Sequence, residues 1–141
     1  MVSFSNADKS FYFKEKRKLK HFIATIFTQE KTTLEHLQYV FCSDEFLLDI
    51  NIRFLQHHTY TDIITFSLNE SNTNPVQGEI YISLDRVKEN SIQLNTPYQS
   101  ELLRVIFHGA LHLCGYKDKT KAQSKQMRLK EDFYIHQYLL L

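Results

Sequence analysis

The chain has 141 residues, 43% of them hydrophobic, enough to bury one sizeable core, so the simplest reading is one domain over residues 1–141. With 17 basic against 16 acidic residues the formal net charge is +1, and the overall balance does not point to a polyanionic partner. No apolar run is long enough to cross a bilayer, residues 1–6 carry no secretory pattern, and Cys42 and Cys114 make no disulfide framework; a cytoplasmic protein is the expectation.

Leu19, Phe22, Ile23, Ile26 and Phe27 recur at helical spacing, predicting an amphipathic helix over 16–30 with His21 on its polar side. Its opening carries the basic cluster Lys14, Lys16, Arg17, Lys18 and Lys20. Residues 37–42 are strand-like, and Ser43 or Asp44 then caps a second helix through Ile52. Strands are expected over 63–68 and 79–84, joined by a polar 69–77 loop with Asn74-Pro75 and Gly78 as turn signals. That connection is short enough for an antiparallel hairpin but does not require one. A short helix follows over 85–91. Thr96, Pro97 and Gln99 then read as an N-cap, a first helical position and a third, opening a helix whose Leu102, Leu103, Ile106, Phe107, Ala110, Leu111 and Cys114 cover a wide arc. Such a helix belongs at the centre of the fold. Thr120 and Gln123 repeat the capping pattern and start a last helix, apolar at Met127, Phe133, Ile135 and Tyr138.

The central helix carries His108 and His112, which lie on one face a turn apart, so both imidazoles can reach one point. Gly115 suits the left-handed residue just past a helix end, where the chain turns back. Asp118, six positions after His112, is then the strong candidate for a third ligand. Three protein ligands with an open position is the catalytic form of a zinc site; four is the structural form. Gly109 inside a strong helix costs about 1 kcal/mol relative to alanine, which implies another element or a substrate passing close over it. The whole pattern predicts an α+β fold, one mixed β-sheet packed by helices with a central metal-binding helix. Of the other histidines, at most one of His57 and His58 can approach the site from an extended chain, and His36 and His136 read as surface or half-buried.

His108, Gly109, Leu111, His112, Leu113, Gly115 and Tyr116 resemble the signature of the YbeY family of bacterial endoribonucleases and rRNA-maturation factors, which reads His-Gly-x-Leu-His-Leu-x-Gly-Tyr-Asp-His. Upstream, Thr61 to Phe66 is similar to the family's Thr-Asp-Val-Leu-Ser-Phe strand, and Gly78 to Ser83 to its Gly-Asp-Ile-x-Ile-Ser strand. The likeness runs over roughly residues 47–132. It implies a metal-dependent endoribonuclease, specific for single strands, acting in rRNA maturation and ribosome quality control. The implied partner is RNA, in ribosomal RNA or ribosomal particles. The implied cofactor is one Zn2+ or another divalent metal per chain, held by His108, His112 and Asp118, which would also be the catalytic residues.

The chain departs from the pattern in two places. Asp118 stands where the family has its third imidazole; carboxylate ligates zinc as well, but weakens the Lewis acid and favours harder ions such as Mn2+. Leu55 and Tyr60 stand where the family has an arginine and a proline, with Arg53 two positions from the expected arginine. Asp62 and Glu79 are the acids of the two strand motifs, with strand-end capping or an ion pair as their ordinary use. Lys117, Lys119, Lys121, Lys125, Arg128 and Lys130 surround the lone acid Asp118, which alone reads as a solvated helix face but beside a metal suits an anionic polymer. Gly109 occupies the position at which zinc peptidases place a general-base glutamate, so an amide hydrolase would need another carboxylate. A ribosome-associated binding factor with a structural metal is the rival outside the enzymes.

Overall fold

The computed structural model describes residues 1–69 and 75–141. Its elements are β1 (Val2–Asn6), α1 (Lys16–Gln29), β2 (Leu34–Cys42), α2 (Asp44–Leu55), β3 (Ile63–Ser67), β4 (Val76–Ser83), α3 (Leu84–Gln93), α4 (Tyr98–Leu113) and α5 (Lys121–Leu139). The turn signal expected at Asn74 lies outside the described residues. The four strands form one sheet in the order β1-β2-β4-β3; β1, β2 and β4 run parallel, and β3 pairs antiparallel with β4. This is the mixed sheet of an α+β fold.

Alternation along the strands sorts their side chains between two apolar layers. Leu37, Tyr39 and Phe41 of β2, with Ile80 and Ile82 of β4, join the large core formed with α1, α4 and α5. Cys42, Ile64, Phe66 and Tyr81 pack with Leu47 and Ile50 of α2 in a smaller cluster. α4 is the centre of the large core, with Leu102, Ile106, Phe107, Ala110 and Leu111 fully shielded from solvent. The Tyr39 hydroxyl donates to the Ile106 carbonyl at 2.8 Å, so the one polar atom of that buried ring is satisfied.

Gly109 explains how α4 comes so near the sheet: a Cβ there would stand 2.8 Å from Ile80 Cδ1 and 3.0 Å from Ile63 Cδ1. The close neighbour is thus the sheet, not a substrate. Gly78 belongs to β4 and makes no turn; a Cβ there would lie 2.8 Å from Leu113 Cδ1, so it too is a place where α4 presses on a strand. The expected start of α4 also moves by one residue. Pro97, at φ −60° and ψ 140°, stays outside the helix and its carbonyl accepts from Glu101 N–H at 3.1 Å, whereas Thr96 caps nothing. β1, short and half-buried, has too brief an alternation to be read from sequence; it is held at the edge by backbone pairing with β2.

Ser43 caps α2 by accepting from Phe46 N–H, and α2 runs past Ile52 to Leu55. The capping box of Thr120 and Gln123 starts α5 as expected. The inward face of α5 is Met127, Glu131, Tyr134 and Tyr138, with Phe133 turned out at 47% exposure. The stripe follows helical spacing, but it places a carboxylate in the core where the apolar reading put a phenylalanine.

Candidate metal centre

Arg104, His108 and His112 are spaced four apart on α4 and so share one face. Beyond His112 the helix ends in a Schellman turn. Gly115 adopts φ +104°, its N–H donates to the His112 carbonyl at 3.0 Å, and Tyr116 N–H donates to the Leu111 carbonyl at 3.1 Å. That reversal brings residues 116–118 back over the helix end. Asp118 Oδ2 ends 3.3 Å from His108 Nε2 and 3.3 Å from His112 Nε2. The three ligand atoms lie within 4.8 Å of one another.

The remaining nitrogen of each ring has its own acceptor. His108 Nδ1 lies 2.6 Å from Glu131 Oε2, and His112 Nδ1 donates to the Tyr116 carbonyl at 2.9 Å. In neutral rings these contacts place the proton on Nδ1 and leave a lone pair on Nε2. In that state two nitrogen lone pairs and a carboxylate oxygen converge, an arrangement that a cation would resolve. The spacing fits as well. Two ligands about 2.0–2.1 Å from a common tetrahedral zinc stand roughly 3.3 Å apart.

Two outer supports come from residues that sequence reading missed. Glu131 is 4% exposed, and its second oxygen accepts from Arg104 at 2.9 Å, while the other arm of Arg104 reaches Asp132 at 2.7 Å. Burial pulls the His108 imidazolium pKa down, but the Glu131 hydrogen bond and charge, with Asp118 and Asp62, outweigh it and raise the pKa. On the other side, Glu30 at the end of α1 accepts from the Tyr116 hydroxyl at 2.7 Å, from Lys130 at 3.2 Å, and from the Tyr134 hydroxyl. The only sequence signal for Glu131 was its helical register with Met127 and Tyr134; Glu30 had none.

Two hollows of about 750 Å³ and about 660 Å³ meet at the donors, sharing Asp62, Ile63, His108 and Asp118. Burial raises the pKa of Asp62 against the opposing charge of His108. It does the same for Glu101, also on the first hollow, against Arg104. Lys121, Lys125 and Arg128 line that first hollow, whereas Lys130 is spent on Glu30. His57 reaches the second hollow and His58 does not. Arg53 lies on α2, 70% exposed at its side chain and paired with Asp49 at 3.1 Å, on neither hollow. It does not replace the arginine whose place Leu55 takes. Glu79 accepts from the Tyr81 hydroxyl at 3.3 Å, in place of the strand-end cap or ion pair expected of it. Cys42 is buried and Cys114 half-buried; burial pushes both thiols up to about 12, which makes them inert packing groups.

A mixed sheet carrying a helix with two imidazoles, joined by a carboxylate from the turn after it beside a groove with a basic wall, defines a class: α+β domains with a candidate metal centre. Residues 3–139 match the family model described as Endoribonuclease YbeY, and the chain belongs to that family. The Endoribonuclease YbeY of Cytophaga hutchinsonii is 43% identical over 131 residues, covering 93% of this chain and 91% of that protein. That of Flavobacterium psychrophilum is 40% identical over 132 residues, covering 94% and 92%. A Thermotoga maritima protein solved in solution shares the fold with a TM-score of 0.68 at 28% identity, over 98% of this chain and 89% of that one.

Proposed function

We propose that this chain is a zinc-dependent endoribonuclease of single-stranded RNA that acts in rRNA maturation in the cytoplasm, on ribosomal RNA or ribosomal particles. The observation that carries the reading is the convergence of His108 Nε2, His112 Nε2 and Asp118 Oδ2 beside a wall of Lys121, Lys125 and Arg128. The family and its relatives named as endoribonucleases support the reaction class.

His108, His112 and Asp118 would hold the ion, which supplies Lewis acidity toward a phosphoryl oxygen when bound. Glu131 and the Tyr116 carbonyl keep both rings in the ligating tautomer. Lys121, Lys125 and Arg128 hold the phosphates of the strand. Asp62, at the junction of the two hollows, is placed to exchange a proton with the reacting nucleotide, its pKa being raised by burial.

The amide-hydrolase alternative would need a carboxylate from outside the helix, since position 109 faces Ile80 and Ile63 and has no room for a glutamate, and the family and its relatives named as endoribonucleases favour the nuclease reading. The structural-metal alternative needs a fourth ligand, and among the described residues the cluster has three. Elemental analysis of protein purified without chelators, paired with RNA cleavage before and after chelation, tests the proposal. Stoichiometric zinc with cleavage lost on chelation and regained on zinc return is expected; cleavage indifferent to chelation sinks it.

A further inference from the structure

The two halves of the groove differ in charge although they share the donor cluster. Arg104, Lys121, Lys125 and Arg128 line the α5 half. Among the described residues the α2–β3 half has no lysine or arginine in its lining; its walls include Asn51, Leu55, His57, Tyr60, Thr61 and Leu113. A phosphate there would face the carboxylates of Asp62 and Asp118 with no lysine or arginine opposite it, only the imidazole of His57 beside the two donor rings. A neutral flat ring would meet apolar surface, hydroxyls and an amide, the mixture that stacks a base and reads its edge.

We propose that the α2–β3 half of the groove is a nucleobase pocket, taking the base of a nucleotide next to the scissile phosphate while α5 holds the phosphates of the opposite flank. This rests on the RNA-cleaving reading above. Asn51 is the reading group. It is 3% exposed, and its Nδ2 donates to the Thr59 carbonyl at 2.8 Å, which fixes the carboxamide. Among the described residues no group donates to its Oδ1 and no fully buried side-chain oxygen lacks a partner, so that oxygen is not fully buried, and Asn51 lines the hollow, which leaves Oδ1 free to accept. Tyr60 is held in place at the rim. Its hydroxyl donates to Glu45 at 2.6 Å and the Arg86 guanidinium lies 5.0 Å from its ring centre. Leu55, in the place of the family pattern's arginine, leaves this half without a guanidinium in this chain. Base preference therefore arises on one side of the cut only.

The test scans short single-stranded RNAs in which one nucleotide at a time is abasic, reading Kd by fluorescence anisotropy over a range of salt with the metal-loaded full chain. One position, or two adjacent ones, should weaken binding about tenfold, in the range of stacking one base, without changing the slope of log Kd against log salt. In Leu55→Ala that penalty should shrink at least threefold; in Lys125→Gln it should persist while the slope flattens. Salt-dependent RNA binding with no abasic penalty anywhere overturns the pocket and leaves the nuclease reading standing. A penalty equal in Leu55→Ala and wild type also overturns it, since the base then sits elsewhere. No salt-dependent binding of any RNA overturns both.

Discussion

The two basic clusters of this chain are alike in composition and opposite in use. In α1, Lys16 lies 5.3 Å from the centre of the Phe11 ring, Lys18 5.1 Å from that of Tyr138 and Lys20 5.4 Å from that of Phe4. Lys18 also donates to the Leu141 carbonyl at 3.2 Å. These ammonium groups lie over the chain's own aromatic rings and pin β1, the loop after it and α5 around the first helix. In α5, Lys121, Lys125 and Arg128 stand exposed on the groove, and among the described residues no carboxylate pairs with them. A run of lysines becomes a structural clasp or a binding wall according to what the fold sets opposite it. Lys130 shows the boundary within one helix, for it turns inward to Glu30 at 3.2 Å.

The strongest break in this comparison separates the donors from the wall beside them. His108→Ala or His112→Ala is expected to remove most bound metal and RNA cleavage while keeping salt-dependent RNA binding, measured by elemental analysis, cleavage assay and anisotropy. Stoichiometric metal in both variants would place the centre elsewhere. Next in size is the contrast between the clusters themselves. Lys121, Lys125 and Arg128 changed together to glutamine should flatten the salt slope by up to about three units. The same change at Lys16, Lys18 and Lys20 should leave the slope alone and lower stability by roughly 1–3 kcal/mol in urea unfolding, at about 0.5–1 kcal/mol per exposed cation–π contact.

The third ligand is open to a sharper change. Asp118→His should keep metal and raise the preference for zinc over manganese, and Asp118→Ala should weaken both, as read by competition titration. The smallest expected effect concerns the inward-turned Lys130. Burial pushes the Glu30 carboxyl up, but hydrogen bonds from Tyr134, Tyr116 and Lys130 outweigh it and hold the carboxyl below its ordinary value of 4.5. A group depressed on folding contributes stability that is present above its unfolded pKa and lost as pH falls through the folded one. Glu30→Gln should therefore cost about 1–3 kcal/mol at neutral pH, and its deficit should narrow as pH drops below 4.5. A deficit constant with pH would mean that the charge of Glu30 is not what binds the cluster.

Much of the centre is legible in the linear chain because its determinants are local. Two imidazoles four residues apart share a face by helix geometry alone, and the φ of +104° at Gly115 is what a glycine past a helix end permits. The capping box at Thr120 and the hairpin of β3 with β4 are local in the same sense. At Thr96 and Pro97, read together as a cap and a first helical position, the extended ψ of 140° at Pro97 shifted the boundary by one residue.

What only the tertiary structure decided are the contacts between residues far apart in the chain. Glu131 reads as one more surface acid of a charged helix until α5 packs on α4 and sets it against His108 at 2.6 Å. Glu30 meets Tyr116 across 86 residues. Gly109 announces a close approach in sequence, but β4 and β3 show what approaches. The shared face of His108 and His112 was therefore determined by sequence, because helix periodicity is a property of the backbone. The acceptors of the two rings, the wall beside them and the half of the groove without lysine or arginine were decided by packing, since each depends on which apolar faces cover one another when the chain collapses.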